Sequence, residues 1–362
     1  MLEDTDWDRL EHAYGTASDA PGQLARLLSE DADACGEALA YLHAAILHQS
    51  SIYSATAPAA VFVAGVLEDP RTLVPCESAL PWDERERPLR AALLEWLGCV
   101  AESAGYQELE PDDDEDEWDD EAQAIDACRA VRRDLYAHIA PFLDDADPAV
   151  CQATVGALTH LLLAPELADR REGVAGRLLR SVHDATPVER AGIALTVGGW
   201  GIPPRPLLAD EHPGVRACAA LTRAFDDDPV ALEEIRLALS DPRAADDFFT
   251  ENPPQLDGQV RFALVKALLR RTTTFDEITG SAVAVARMTN AYTVDSDWGP
   301  LLARAFPYGL AAGQETSAGQ RSFLTAILDN DQCWNSVANP MIWFRRLGLP
   351  TGRAELRALT NA

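Results

Sequence analysis

The residues of this chain that could do chemistry are its histidines, tyrosines and carboxylates. The segment His48-Gln49-Ser50-Ser51-Ile52-Tyr53 gathers an imidazole, an amide and a phenol. His43 precedes it, but the spacing of His43 and His48 puts them on different faces of a helix. No His-Glu-x-x-His pattern is present, so these residues do not read as metal ligands. Polar side chains in such a segment satisfy the carbonyls left open where a helix ends. His48, Gln49 and Tyr53 are therefore expected at a helix end and the turn after it, with contact to a partner as the alternative role.

The densest charge is the run from Glu108 to Glu121, containing Asp112, Asp113, Asp114, Glu115, Asp116, Glu117, Trp118, Asp119 and Asp120. Mutual repulsion and low hydrophobicity predict a solvated, disordered insertion over 107–121, between a helix ending near Gly105 and one starting near Ala122. As a binding element the run would attract a basic partner, with Trp118 as an anchor. It lacks the glycine and ligand spacing of a calcium loop. Gly198-Gly199-Trp200-Gly201 has no phosphate-loop pattern and reads as a turn between helices, with a new helix beginning at Pro206. No Gly-x-Ser-x-Gly elbow occurs, and among so many acids no pair is marked as acid and base. No catalytic, cofactor-binding or metal-ligating residue is assigned.

The elements that must position these residues read as helices. Of 362 residues, 47% are hydrophobic but only 7% aromatic, a composition that suits Ala- and Leu-rich helix packing. Helix starts can be read directly. Asp147 can cap a helix whose first turn holds Pro148, and Val150, Ala153, Ala157, Leu158 and Leu161 fall on one stripe of it. The layout recurs at Pro88-Leu89-Arg90, Pro187-Val188-Glu189-Arg190, Pro213-Gly214-Val215-Arg216 and Gln259-Val260-Arg261. Aligning Pro187 with Pro213 also aligns Arg190 with Arg216. Second helices follow, as in Val230–Leu239; the ambiguous run Thr279–Val285 is expected to be helical too.

The Pro-x-Val-Arg start, turn and second helix resemble the HEAT-repeat family from Cys35 to Leu328. That resemblance implies an all-α fold, a right-handed α-solenoid of antiparallel helix pairs, with six or seven pairs at about 40 residues each. The chain is then one solenoid over 1–362, with an N-terminal cap at 1–30 and a C-terminal cap at 331–362 sealed by Trp298, Trp334 and Trp343. The segments His12-Ala13-Tyr14-Gly15-x-Ala17-x-Asp19-x-Pro21 and His48–Phe62 are similar to uncharacterised bacterial HEAT-repeat proteins with a His-Gln-Gly-x-Tyr-x-Ala-Thr pattern. Ser50 stands where that pattern has glycine, and Val61-Phe62 lacks its proline. The resemblance implies fold and kinship but no activity.

Charge narrows the partners. Thirty Lys and Arg against 59 Asp and Glu leave -29, which repels nucleic acid and anionic membranes and favours a basic protein. Lys266 is the one lysine; the arginine excess reads as GC-rich coding rather than as selection for bidentate bonding. Seven cysteines, an odd number without a Cys-x-x-Cys pair, read as free thiols of a cytoplasmic protein. The acidic N-terminus is unlike a signal peptide, and no apolar run is long enough to span a membrane. The expected function is a monomeric, non-enzymatic scaffold for a basic protein partner, in one form an immunity or inhibitor protein against a nucleic-acid-directed toxin. The alternative is a HEAT-like lyase or small-molecule binder. A HEAT-like glycosylase would need a basic groove for DNA, against this charge balance.

Overall fold

The computed structural model describes residues 2–76, 86–106, 119–310, 315–334 and 340–360. The chain forms two compact units, Met1–Arg171 and Glu172–Ala362. Both are built from helices. In the first unit, the short strands β1 (Glu11–His12) and β2 (Gly15–Thr16) pair antiparallel. There follow α1 (Ala20–Ala25), α2 (Ala32–Tyr41) and α3 (Thr56–Val66), then the strands β3 (Pro75–Cys76) and β4 (Arg87–Pro88), also antiparallel. The helices α4 (Leu89–Tyr106), α5 (Asp119–Ala130), α6 (Arg132–Ile139) and α7 (Pro148–Leu161) complete it. α4 is the hub: it packs on α3, α5 and, most extensively, α7. Gly98 lets α4 and α7 approach closely, since a Cβ there would lie 3.1 Å from the Ala157 Cα.

In the second unit run α8 (Arg171–Ser181, which opens at the boundary), α9 (Pro187–Gly199), α10 (Pro213–Ala220), α11 (Pro229–Ala238), α12 (Pro242–Asp246) and α13 (Val260–Arg271). Then come α14 (Thr279–Met288), α15 (Trp298–Ala305), α16 (Ala318–Asp329), α17 (Met341–Arg346) and α18 (Arg353–Thr360). The run that could have been strand is thus helical, in α14. These helices pack in two rows. One is α9–α10–α11–α13–α15–α17, and the other is α12–α14–α16–α18.

Helix starts repeat one device, a cap followed by proline in the first turn. The Asp147, Asp228 and His212 side chains accept hydrogen bonds from the N–H groups of Ala149 at 2.8 Å, Val230 at 2.9 Å and Gly214 at 3.2 Å. Thr186 and Glu189 form a reciprocal capping box at α9. Helix α5 begins at Asp119, earlier than the expected Ala122, so Asp119, Asp120 and Glu121 occupy a helical first turn. The helix dipole favours carboxylates there, which a reading based on repulsion alone overlooks. The remaining acidic residues, Asp112 through Trp118, lie outside the described residues.

The repeated arginines have defined partners. Arg190 grips Asp210 with two parallel bonds, Nε–Oδ2 at 2.8 Å and Nη2–Oδ1 at 3.0 Å, and donates to the Ala185 carbonyl. Arg216, its aligned counterpart, pairs with Glu234 at 3.0 Å and donates to the Asp210 and Glu211 carbonyls. Arg90 reaches Asp145 at 3.7 Å and Arg261 reaches Asp297 at 3.2 Å. Each joins the start of its own helix to an acid further along the chain. The planar guanidinium serves carboxylate and carbonyl at once, which a lysine ammonium cannot do with fixed geometry. Other arginines close helix ends: Arg171 donates to the Leu162, Leu163 and Ala164 carbonyls, and Arg304 to those of Leu269 and Thr272.

Toward the C-terminus the aromatic residues gather on buried Phe344. Trp334 stacks on it at 5.9 Å, and Trp298 lies at the same distance, tilted. Trp343 donates instead to Asp295 at 2.6 Å. Five of the seven cysteines are buried. Burial pushes the Cys128, Cys218 and Cys333 thiols up to about 12. These thiols stay protonated and behave as small apolar core residues. No helix among the described residues is long and apolar enough to cross a membrane.

Candidate functional site

The end of α2 positions the candidate site in the first unit. Past Tyr41 the helix widens into a π turn over Leu42–Ile46, closed by the Leu47 N–H donating to the Leu42 carbonyl at 3.0 Å. That ending exposes carbonyls, and each finds a donor from elsewhere. The Trp96 indole donates to Leu42 at 3.2 Å, His48 Nδ1 to Ala44 at 3.0 Å, the Ala13 N–H to Ala45 at 3.0 Å and the Thr56 hydroxyl to Ile46 at 2.7 Å. Thr56 Oγ1 also accepts the Tyr53 N–H at 3.0 Å. His48 and Thr56 of the His-Gln-x-x-x-Tyr-x-Ala-Thr segment thus close the helix end through its carbonyls. His43, within the π turn, is held below its usual range by burial and then by the nearby Arg87 charge, so it stays neutral.

Gln49 (φ 51) and Ser50 (φ 66) are the only non-glycine residues with positive φ among the described residues. This conformation costs an L-residue about 1–2 kcal/mol. It accounts physically for the glycine of the resembling pattern at position 50. Ser50→Gly is expected to raise stability by about 0.5–1 kcal/mol, after allowing for glycine's greater freedom in the unfolded chain. Urea unfolding reads this as a higher midpoint at unchanged slope. A lower midpoint would mean that the Ser50 side chain holds the turn.

The β1–β2 hairpin brings a second group of residues to this turn. His12, 8% exposed, donates through Nε2 to Asp19 Oδ1 at 3.0 Å, and its Nδ1 accepts the Tyr14 N–H at 3.1 Å. The Tyr14 amide can only donate, so the neutral ring is held in the Nε2–H form. The Tyr41 hydroxyl donates to the same Asp19 oxygen at 3.1 Å. Burial, and then the Asp19 charge, push the Tyr41 phenol up, so it remains a donor. Tyr14 projects from the hairpin at 70% exposure, its ring 6.2 Å from that of His12 and 5.7 Å from that of His48.

This arrangement resembles a carboxylate–histidine dyad, but both His12 nitrogens are engaged within the protein. Among the described residues, neither His12 nor His48 is hydrogen-bonded to a serine, threonine or cysteine side chain. His48, bonded through Nδ1, makes no hydrogen bond through Nε2 among the described residues. What the site offers is a contact patch of exposed Tyr14, half-buried His48 and exposed Gln49. Tyrosine is favoured at protein interfaces.

Of the residues singled out in the sequence, the structure joins His48 to Tyr14 and places Gln49 in the strained turn. Tyr53 is half-buried and engaged through its backbone. Asp119 and Asp120 lie in α5, and Asp112, Asp113, Asp114, Glu115, Asp116, Glu117 and Trp118 lie outside the described residues. Sequence reasoning missed the roles of Asp19 and Tyr41. The available signal was the short spacing of His12, Tyr14 and Asp19 around Gly15, which allows a tight hairpin. Comparison with protein-family models, curated proteins and solved structures finds no match.

Proposed function

We propose that this chain is a non-enzymatic protein-binding scaffold, a HEAT-type solenoid whose acidic surface takes a basic protein partner. The observation that carries this reading is the division of charge. The aligned arginines Arg90, Arg190, Arg216 and Arg261 turn inward and are held by internal acids, whereas many carboxylates face solvent. Asp126, Glu211 and Asp331 have side chains 73%, 91% and 82% exposed. With -29 overall, the surface field steers basic proteins in and repels nucleic acid. The two helix rows of the second unit, with Arg216 tying α10 to α11 and Arg261 tying α13 to α12, support the solenoid assignment, because stacked units bury what a single pair leaves open. The Tyr14–His48–Gln49 patch supplies contacts that can fix the register of a partner first attracted by charge.

The test is binding of a captured partner across a salt series. Affinity that falls steeply with salt supports the reading, since contacts between exposed charges are screened. Affinity unchanged by salt contradicts it.

A further inference from the structure

Three arginines of the second unit that depart from the inward pattern lie together. Arg236, Arg287 and Arg321 line neighbouring open cavities of about 410 and 770 Å³, and Arg287 borders both. The trough runs along a stripe of α14 containing Gly280 and Ala284 and a stripe of α16 containing Ala318 and Ser322. Its lining is small, and a Cβ on Gly280 would meet nothing within 4 Å.

None of the three guanidiniums has a carboxylate within ion-pair distance among the described residues. Arg287 is exposed, and its side chain makes no hydrogen bond among the described residues. Arg236 donates only to the Glu277 carbonyl at 3.3 Å, and its Nε is buried without an acceptor. Arg321 donates only to the Thr316 carbonyl. The carboxylates at the rim are already held. Asp329 pairs with Arg357 at 3.3 Å and Asp331 with Arg353 at 2.6 Å. Glu277 accepts from the Thr273 and Thr274 amides and hydroxyls, which hold it down at about 2. Three guanidiniums without a carboxylate partner, beside rim acids of which Asp329 and Asp331 are already paired with other arginines, are donors left open in a chain with about twice as many acids as bases.

We propose that this trough binds an extended acidic peptide segment, a site of opposite sign to the acidic surface and independent of the basic-partner reading. Packed helices lie about 8–10 Å apart, a distance that an extended chain covers in about three residues. Carboxylates two or three residues apart on such a chain would meet successive guanidiniums, each able to bond a carboxylate with two parallel N–H groups. The small side chains of the floor let the peptide backbone approach. The overall charge favours a carboxylate peptide over a nucleic acid, because a phosphate chain would carry its whole charge density against the acidic surroundings.

The experiment is fluorescence anisotropy of a fluorescein-labelled peptide of alternating Glu and Ser, titrated with the full chain at low salt. The wild type is expected to bind saturably. Arg287→Glu should weaken binding by about tenfold or more, and Arg287→Ala with Arg321→Ala should do the same. Arg133→Glu, which makes the same charge change at an exposed residue of α6, should leave binding unaltered. Circular dichroism and thermal unfolding verify that each variant is folded. No saturable binding by the wild type overturns the proposal, as does equal weakening by Arg133→Glu. It is also overturned if a labelled single-stranded oligonucleotide binds through Arg287 while the peptide does not.

Discussion

Asp297→Ala is expected to cost about 3–5 kcal/mol of folding stability, the range for removing one partner of a buried ion pair. Asp297 is fully buried and gathers four donors. Arg261 Nε lies at 3.2 Å, the Thr289 and Thr293 hydroxyls at 2.5 and 2.9 Å and the Trp298 N–H at 2.6 Å from its carboxylate, while Asp246 shares Arg261 from the other side. Burial pushes the carboxyl up, against the pull of these hydroxyl, amide and guanidinium donors. Alanine would leave the Arg261 guanidinium, 5% exposed, with Asp246 alone and two threonine hydroxyls without their acceptor. Asn keeps the shape but turns an NH2 group toward donors on one side, so Asp297→Asn should also destabilise, by less. Urea unfolding measures both. A loss below about 1 kcal/mol for alanine would place Asp297 outside a buried network.

Trp96→Ala is expected to be of similar size, about 3–5 kcal/mol, because it empties the largest side chain of the α4 hub. Trp96 is fully buried, and its indole also closes the π turn through the Leu42 carbonyl. The two contributions separate with Trp96→Phe. Phenylalanine retains most of the packing and removes the donor, so about 1 kcal/mol should be lost. Amide hydrogen exchange provides the second readout: protection across residues 42–50 should fall in the Phe variant while α7 keeps its own. Unchanged exchange in that segment would mean that the indole does not support the site turn.

Helix starts were the most legible feature, because a cap and a following proline are local signals. Asp147-Pro148, Thr186-Pro187 and His212-Pro213 all begin helices where the pattern predicts. The recurring arginine was legible as a repeat, but its partner was not. Asp145, Asp210, Glu234 and Asp297 belong to a pool of 59 acids, and no spacing distinguishes an acid that folds back from one that faces water. Composition does not reveal the contacts of these arginines, since coding bias and bidentate pairing leave the same residue count. The site was half legible. The polar segment after α2 could be assigned to a helix end, but the left-handed backbone of Gln49 and Ser50 was not foreseen. The π turn and the hydrogen-bond form of His12 depend on contacts from β1, α3 and α4 that no local pattern carries. The α14–α16 trough was invisible for a different reason. Small residues on a helix stripe read as ordinary packing until the neighbouring helix is in place.

The most direct test of the scaffold account is affinity capture of the tagged chain from its own cell lysate at low salt, eluted with high salt and read by mass spectrometry. The account predicts one basic protein, retained near stoichiometrically and released by salt. A blank at low salt, or a partner that is acidic and stays bound at high salt, would contradict it.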